Sequence, residues 1–122
     1  MVSDDVMAEA TAIVPITDAG KPAFAEAFSA GERAYAEDKS DPERRLAARL
    51  AAKQAAIAAL GGDLELRDIE IVRGRGGPPR IELSPRGRKR LAEIGGIRML
   101  VSLTHGREHA AAAVLVLGAP PR

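Results

Sequence analysis

The segment 42–60 constrains the fold of this chain more than any other, because both ends of a long helix can be read from it. Asp41 is a residue type that caps free backbone N–H groups, and Pro42 suits the first helical position. Gly61 and Gly62 supply the stop. Between them an apolar stripe recurs at helical spacing, with alanines filling the gaps: Leu46, Leu50, Ile57 and Leu60. We therefore predict one helix over 42–60.

Shorter elements flank this helix on both sides. Alternating or β-branched apolar runs predict strands over 11–16, 66–72, 80–83, 97–103 and 111–117. The strands 66–72 and 80–83 form a hairpin across the glycine- and proline-rich turn, and the last two form an antiparallel pair. Helices are predicted over 21–30, 32–36 and from Pro85 to about Ile94, with Ser84 as the cap of the last. This order predicts an α+β fold, with a small antiparallel sheet packed on the long helix.

The length and composition indicate one domain with a core of small side chains. The chain has 122 residues, and 46% are hydrophobic but only 2% aromatic. Such a core has little volume per residue, so we expect subunit contacts to contribute to stability. The domain is predicted to span 11–118, with flexible termini at 1–10 and 119–122.

Charge and residue usage exclude several classes of function. The formal net charge is +1, which argues against nucleic-acid binding. Basic residues nevertheless cluster around 73–80 and 86–90, where they form either a solvated face or a surface for phosphate or an acidic partner. No cysteine is present, so disulfides and thiolate chemistry are absent. Without a long apolar run or a basic N-terminal region, we expect a cytoplasmic protein without membrane association.

Five collinear segments resemble the holo-acyl-carrier-protein synthases. RLAARLAAKQA at 45–55 is similar to that family's R-x-A-x-R-[FW]-A-A-K-E-A helix, and VSLTH at 101–105, followed by the small residues of 110–116, to its final hairpin. The segments 68–71, 77–83 and 24–33 resemble its D-I-E-[IV], G-x-P-x-[IV]-x-L and F-x-x-x-[FL]-[TS]-x-x-E-R motifs. The resemblance covers about 11–117 of the chain.

The resemblance implies a 4′-phosphopantetheinyl transferase-like fold and a homotrimer with coenzyme A between subunits. Such enzymes move the phosphopantetheine arm of coenzyme A onto a serine of an acyl carrier protein. Magnesium bridges the pyrophosphate, held by the Asp of an N-terminal G-x-D-I-V motif and by the Glu of the K-E-A helix. A Lys four residues after that Glu lies close to the reacting phosphate.

All three of these positions differ in this chain. Ala12 stands at the Asp, Gln54 at the Glu, and Ala58 at the Lys. Magnesium prefers anionic oxygen, which neither Ala12 nor Gln54 offers. A shifted N-terminal register would instead bring Asp18 or Glu9 toward the site. We predict no metal site and no bound cofactor, with magnesium not expected and coenzyme A still a possible ligand.

Four residues are the candidates for function. His105 matches a family histidine near coenzyme A and suits acid–base work, or else it only bonds to its hairpin or a subunit neighbour. Lys53 is the second catalytic candidate, although its ammonium could instead be satisfied by a carbonyl or a carboxylate. Arg49 and Gln54 are predicted to bind the ligand, and the alternative for Arg49 is a structural bridge to Glu32 or Glu65. His109 and Glu108 are expected to be exposed.

Three functions follow from these residues. The first is a repurposed enzyme in which magnesium-dependent phosphopantetheinyl transfer is lost. Its interface cleft would perform metal-free cyclisation, isomerisation or dehydration of a secondary-metabolite or acyl substrate. The second is a non-catalytic module that binds acyl carrier protein or coenzyme A. The third is a divergent, active 4′-phosphopantetheinyl transferase. The missing carboxylates favour the first.

Overall fold

The computed structural model describes residues 5–74 and 76–119, which form five strands and three α-helices. The strands are β1 (Asp5–Pro15), β2 (Ile69–Arg73), β3 (Pro79–Leu83), β4 (Gly96–His105) and β5 (His109–Gly118). The helices are α1 (Ala30–Glu37), α2 (Pro42–Ala59) and α3 (Pro85–Glu93). Short 3-10 turns occupy Ile16–Gly20, Pro22–Phe24 and Leu66–Asp68. Within the described residues, no helix combines the length and hydropathy needed to span a bilayer.

The strands form two antiparallel sheets, which confirms the α+β class. One sheet has the order β1-β5-β4, and the other is the β2–β3 hairpin, in which Ile69 pairs with Leu83 and Arg73 with Pro79. In the larger sheet β5 is central: Ala112 pairs with Ala12 of β1 and with Leu103 of β4. The prediction of one small sheet is therefore refined to two, because the hairpin pairs only with itself.

Helix α2 lies across the three-stranded sheet, and its alanines make the core. Ala47, Ala51, Ala52, Ala55 and Ala56 are all fully buried, as are Leu50 and Leu60. Facing them, β5 buries Ala110, Ala112, Val114 and Val116 on the same side of the sheet. Small side chains on both surfaces let the helix axis approach the sheet closely, so a chain with almost no aromatic residues still builds a packed interior.

Strand β1 is longer than predicted. It begins at Asp5, so residues 5–10, predicted to belong to a flexible N-terminus, pair with β5 as far as Gly118. Pro15 lies at the strand end, as its missing N–H requires. The predicted flexible residues 1–4 and 120–122 lie outside the described part of the chain.

The helix predicted over 21–30 is wrong. Ser29 has extended backbone angles and caps α1, accepting from the Glu32 N–H at 3.1 Å while Glu32 accepts from the Ser29 N–H at 2.8 Å. This capping box holds Ser29 out of helical geometry, and the segment 21–28 contains a 3-10 turn at Pro22–Phe24 instead of the predicted helix. The strand predicted from Leu66 likewise starts only at Ile69. Asp68 closes a 3-10 turn before it by accepting from the Glu65 N–H at 2.8 Å.

The two caps predicted for the other helices have different outcomes. Ser84 caps α3 as predicted, accepting from the Gly87 N–H at 3.1 Å. Asp41 precedes α2 but makes no side-chain cap hydrogen bond, so that prediction is wrong. Its carboxylate instead accepts from Arg45 Nε at 3.1 Å. One helical turn separates the two residues, so the side chains meet along one face.

Candidate functional site

A cleft opens at the start of α2. Its volume is about 690 Å³, within the range of small-molecule sites. It lies where the end of β1, the start of α2 and the β4–β5 turn meet, and it is lined by Pro15, Ile16, Thr17, Ser40, Asp41, Pro42, Glu43, Arg44, Arg107, Glu108 and His109. We call it the α2 cleft. Two of these lining residues are cations, Arg44 and Arg107, and three are carboxylates, whereas the start of α2 adds free N–H groups that can bind an anion.

His105 lies beside the α2 cleft, at the end of β4. Its Nε2 is 3.7 Å from Asp41 Oδ2, and its side chain is 23% exposed. Hydrogen bonding from Arg45 is the main cause that lowers the pKa of Asp41, so this carboxylate stays ionised beside the imidazole. Asp41 can therefore orient His105 and stabilise its protonated form. As predicted, His109 and Glu108 are exposed.

Lys53 is not brought together with His105. It is only 1% exposed and forms an ion pair with Glu32, with Nζ and Oε1 2.8 Å apart. Its ammonium also donates to the carbonyl oxygens of Ile69 and, at 3.4 Å, Leu66. Burial lowers the pKa of Lys53, and the Glu32 charge opposes this shift. The ammonium of Lys53 is therefore satisfied by a carboxylate and by carbonyl oxygens, as the alternative prediction stated. Its side chain does not line the α2 cleft.

Arg49 is buried beneath Tyr35. Its guanidinium carbon is 4.0 Å from the centre of the Tyr35 ring. The bridge to Glu32 or Glu65 is not formed, because Glu32 pairs with Lys53 and Glu65 with Arg67. Burial is the main cause that lowers the pKa of Arg49. Gln54 is half-buried on α2 and has no side-chain hydrogen bond to the residues described.

The residues at the magnesium positions do not fit the ion. Ala12 and the exposed Ala58 provide no oxygen ligand, and Gln54 provides one neutral carbonyl. Neither alternative carboxylate substitutes for them: Asp18 pairs with Lys21 at 2.8 Å, and Glu9 is an exposed residue of β1. Across 5–74 and 76–119 no three His, Asp or Glu side chains group closely enough to hold a metal ion.

Known proteins nevertheless resemble this chain over most of its length. It is 43% identical over 96 residues to the holo-[acyl-carrier-protein] synthase of Moorella thermoacetica, covering 76% of this chain and 75% of the relative. It is 40% identical over 109 residues to the synthase of Anaeromyxobacter dehalogenans, covering 84% and 85%. The chain belongs to the holo-acyl-carrier-protein synthase family. No protein-family model matches it.

The fold agrees with this membership. The coenzyme A complex of the Chronobacterium ammoniagenes synthase superposes with a TM-score of 0.80 at 26% identity, covering 97% of this chain and 100% of that one. The predicted 4′-phosphopantetheinyl transferase-like fold is therefore confirmed.

The predicted main function is contradicted by the same relatives. Proteins 43% and 40% identical to this chain are named holo-[acyl-carrier-protein] synthase, which points to phosphopantetheinyl transfer and not to metal-free cyclisation, isomerisation or dehydration. The expectation that ordinary transferase activity is lost is wrong for the same reason. That expectation rested on the three substituted residues, whereas the family motifs match along most of the rest of the chain. Nothing in the relatives' names supports a role in secondary metabolism.

Two features of the site were missed from the sequence. Asp41 was interpreted only as a helix cap, although its place beside the family histidine depends on β4 ending at the start of α2. Tyr35 was overlooked, although it is the one tyrosine of the chain. The aromatic residue in a helix of small and charged side chains was the available signal for a stacking role.

Proposed function

We propose that this protein transfers the 4′-phosphopantetheine group of coenzyme A to a serine of an acyl carrier protein. The observation that carries the proposal is the 43% and 40% identity to holo-[acyl-carrier-protein] synthases over at least three quarters of the chain. The fold supports it, because the complex that superposes at a TM-score of 0.80 contains coenzyme A.

The α2 cleft is the proposed place for the anionic part of coenzyme A. Its volume of about 690 Å³ suits part of an extended nucleotide. Arg44 and Arg107 line it beside three carboxylates, and the start of α2 adds the positive end of a helix dipole. The Nε of Arg44 is buried without a hydrogen-bond partner within the described residues, so a ligand oxygen would satisfy it.

His105 is the proposed proton acceptor. The serine oxygen attacks the phosphorus that carries the pantetheine, and the bond from that phosphorus to the bridging oxygen breaks. The products are the phosphopantetheinyl serine and adenosine 3′,5′-bisphosphate. His105 takes the serine proton, and the Asp41 carboxylate 3.7 Å away stabilises the resulting imidazolium. No step is assigned to magnesium, since the residues at its positions do not fit the ion.

We also propose that the protein is a homotrimer. The face of the three-stranded sheet opposite α2 carries apolar side chains, with Ile13 70% and Leu100 45% exposed. Contacts between subunits would bury this face and add apolar burial to an alanine-rich core. Sedimentation equilibrium measures this state directly. The exposed cations of α3, among them Arg88 and Lys89, suit an acidic carrier protein.

The proposed function is tested by intact mass. Apo carrier protein incubated with coenzyme A, magnesium and this protein is expected to gain the mass of one phosphopantetheine group, since the scaffold of an active family is retained. The control replaces the acceptor serine of the carrier protein with alanine, which should abolish the gain. An unchanged mass at every tested concentration of magnesium would contradict the proposal.

Restoring the two carboxylates is expected to strengthen magnesium binding. The double variant Ala12→Asp/Gln54→Glu should bind magnesium about tenfold more tightly or better, because anionic oxygens replace a methyl group and an amide. Calorimetric titration with magnesium measures the affinity, and the transfer rate should show a matching dependence on the ion. The neutral variant Ala12→Asn is the control of similar shape. Equal magnesium affinity in all three proteins would show that these positions do not form a site here.

A further inference from the structure

A second cleft, separate in its lining from the α2 cleft, is surrounded by positive charge. It has a volume of about 580 Å³ and lies between the end of α1, the start of α2 and the end of β2. Tyr35, Lys39, Arg45 and Arg73 line it, together with Asp38. We call it the Tyr35 cleft. Lys39 follows α1, Arg45 lies in α2 and Arg73 ends β2, so the fold brings these cations together.

Tyr35 is held between two cations at the base of this cleft. The guanidinium carbon of Arg49 is 4.0 Å from the ring centre, and Nζ of Lys39 is 4.9 Å from it. Both contacts are within the range of cation–π attraction. Arg49 is only 2% exposed, so little water screens the electrostatic effect of its charge on the cleft.

Protein carboxylates do not balance these charges. Arg45 is paired with Asp41, but the side-chain hydrogen bond of Arg73 goes to the carbonyl oxygen of Gly77 at 3.1 Å. Arg49 makes no ion pair within 4.0 Å among the described residues, and its Nε is buried without a hydrogen-bond partner there. Four cations thus meet two carboxylates, Asp41 on Arg45 and Asp38 on the lining, which leaves a net positive site open to an anion.

We propose that the Tyr35 cleft binds a phosphate group. Lys39, Arg45 and Arg73 supply charged N–H donors to its oxygens, and the Tyr35 hydroxyl supplies a neutral one. Arginine side chains suit this ligand because their donors match the geometry of phosphate oxygens. The phosphate is either a free ion or a phosphate of coenzyme A, and in the second case the proposal rests on the proposed function.

The titration of Tyr35 agrees with this charge distribution. Burial by itself would raise the pKa of the Tyr35 hydroxyl. The positive charges of Arg73, Arg49, Arg45 and Lys39 outweigh this effect and lower the pKa. A phosphate in the cleft would neutralise part of that field and move the pKa of Tyr35 back toward its ordinary value of about 10.

The single tyrosine gives a direct measurement. Because the chain has no tryptophan, tyrosine emission comes from Tyr35 alone. Inorganic phosphate is expected to change this emission saturably. The variant Lys39→Gln/Arg73→Gln should weaken its binding by about tenfold or more, since two charge-assisted hydrogen bonds are removed. The matched control Lys21→Gln/Arg67→Gln removes two exposed cations away from the Tyr35 cleft and should bind as the unaltered protein does.

The result that overturns the proposal is an emission that does not saturate with phosphate, or equal affinity in both double variants. If Arg73→Gln alters thermal unfolding, the single variant Lys39→Gln carries the comparison. Coenzyme A and its 3′-dephospho form distinguish the sources. A loss in Lys39→Gln/Arg73→Gln for inorganic phosphate and for coenzyme A, but not for the 3′-dephospho form, assigns the 3′-phosphate. A loss seen only with inorganic phosphate assigns a separate ion, and either supports the proposal.

Failure of this proposal is distinguishable from failure of the proposed function. Phosphate binding is read from Tyr35 without any carrier protein, so intact binding with no transfer would count against the transferase alone. Intact transfer with no phosphate effect on Tyr35 would count against the cleft alone.

Discussion

Lys53→Met is expected to lower the free energy of unfolding by about 3–5 kcal/mol, the usual cost of breaking a buried ion pair from one side. Lys53 and Glu32 are each about 1% exposed and 2.8 Å apart. Removing the ammonium leaves the Glu32 carboxylate buried with only hydrogen bonds, among them the Ile71 N–H at 2.9 Å. It also removes the ammonium donor from the carbonyl oxygens of Ile69 and Leu66, of which the Leu66 oxygen still accepts from the Ile69 N–H. Urea denaturation measures the change.

Two further variants separate the charge effect from the loss of packing. Glu32→Leu/Lys53→Met removes both charges and should recover part of the loss, although α1 then also lacks its capping box. Lys21→Met removes a lysine whose side chain is 58% exposed in its pair with Asp18. That control should change stability by less than about 1 kcal/mol. If Lys53→Met and Lys21→Met cost the same, the buried pair does not stabilise the fold.

His105→Ala is expected to lower kcat for carrier-protein modification by about a hundredfold, a typical loss for a general base. The imidazole lies beside the α2 cleft and within 3.7 Å of the Asp41 carboxylate, which can stabilise its protonated form. Because proton transfer belongs to the chemical step, the effect should fall on kcat more than on KM. Initial rates of coenzyme A consumption measure both constants.

The matched control is His109→Ala, which removes an exposed imidazole from the lining of the same cleft. It should leave kcat within a few-fold of the unaltered protein. Asp41→Asn keeps the shape of the side chain while removing its charge, and an intermediate loss of kcat is expected for a residue that positions His105. A rise in KM with kcat unchanged in His105→Ala would show a binding role and contradict the assignment as proton acceptor.

Much of the fold could be predicted because its signals are local. Pro42 and the glycines at 61 and 62 bound α2, Ser84 caps α3, and the last two strands pair across a short turn, as expected. The predictions that were wrong concern segments in which two local signals disagree. The phenylalanines 24 and 28 have helical spacing, but the capping box at Ser29 interrupts the helix there. Asp68 competes in the same way with strand formation.

The site could be predicted only in part. The family motifs singled out His105, which lies beside the α2 cleft, and they also suggested a catalytic Lys53, which is not among the residues that line it. The Lys53 ammonium instead forms a buried ion pair with Glu32, which lies more than twenty positions earlier in the chain. A helical periodicity shows which residues face inward, whereas the partner that an inward charge meets depends on how α1 and β2 pack against α2.

The amino-acid sequence by itself determined the class of fold, the long alanine-rich helix and the membership of a family, since helix caps, turn residues and motif order are written in neighbouring positions. Only the tertiary structure decided which charges are neutralised. Lys53 and Arg49 share one face of α2 at a four-residue spacing, yet one lies against a carboxylate and the other against a tyrosine ring. Electrostatic energy depends on distance and on exclusion of water, and both are set by elements far apart in the chain.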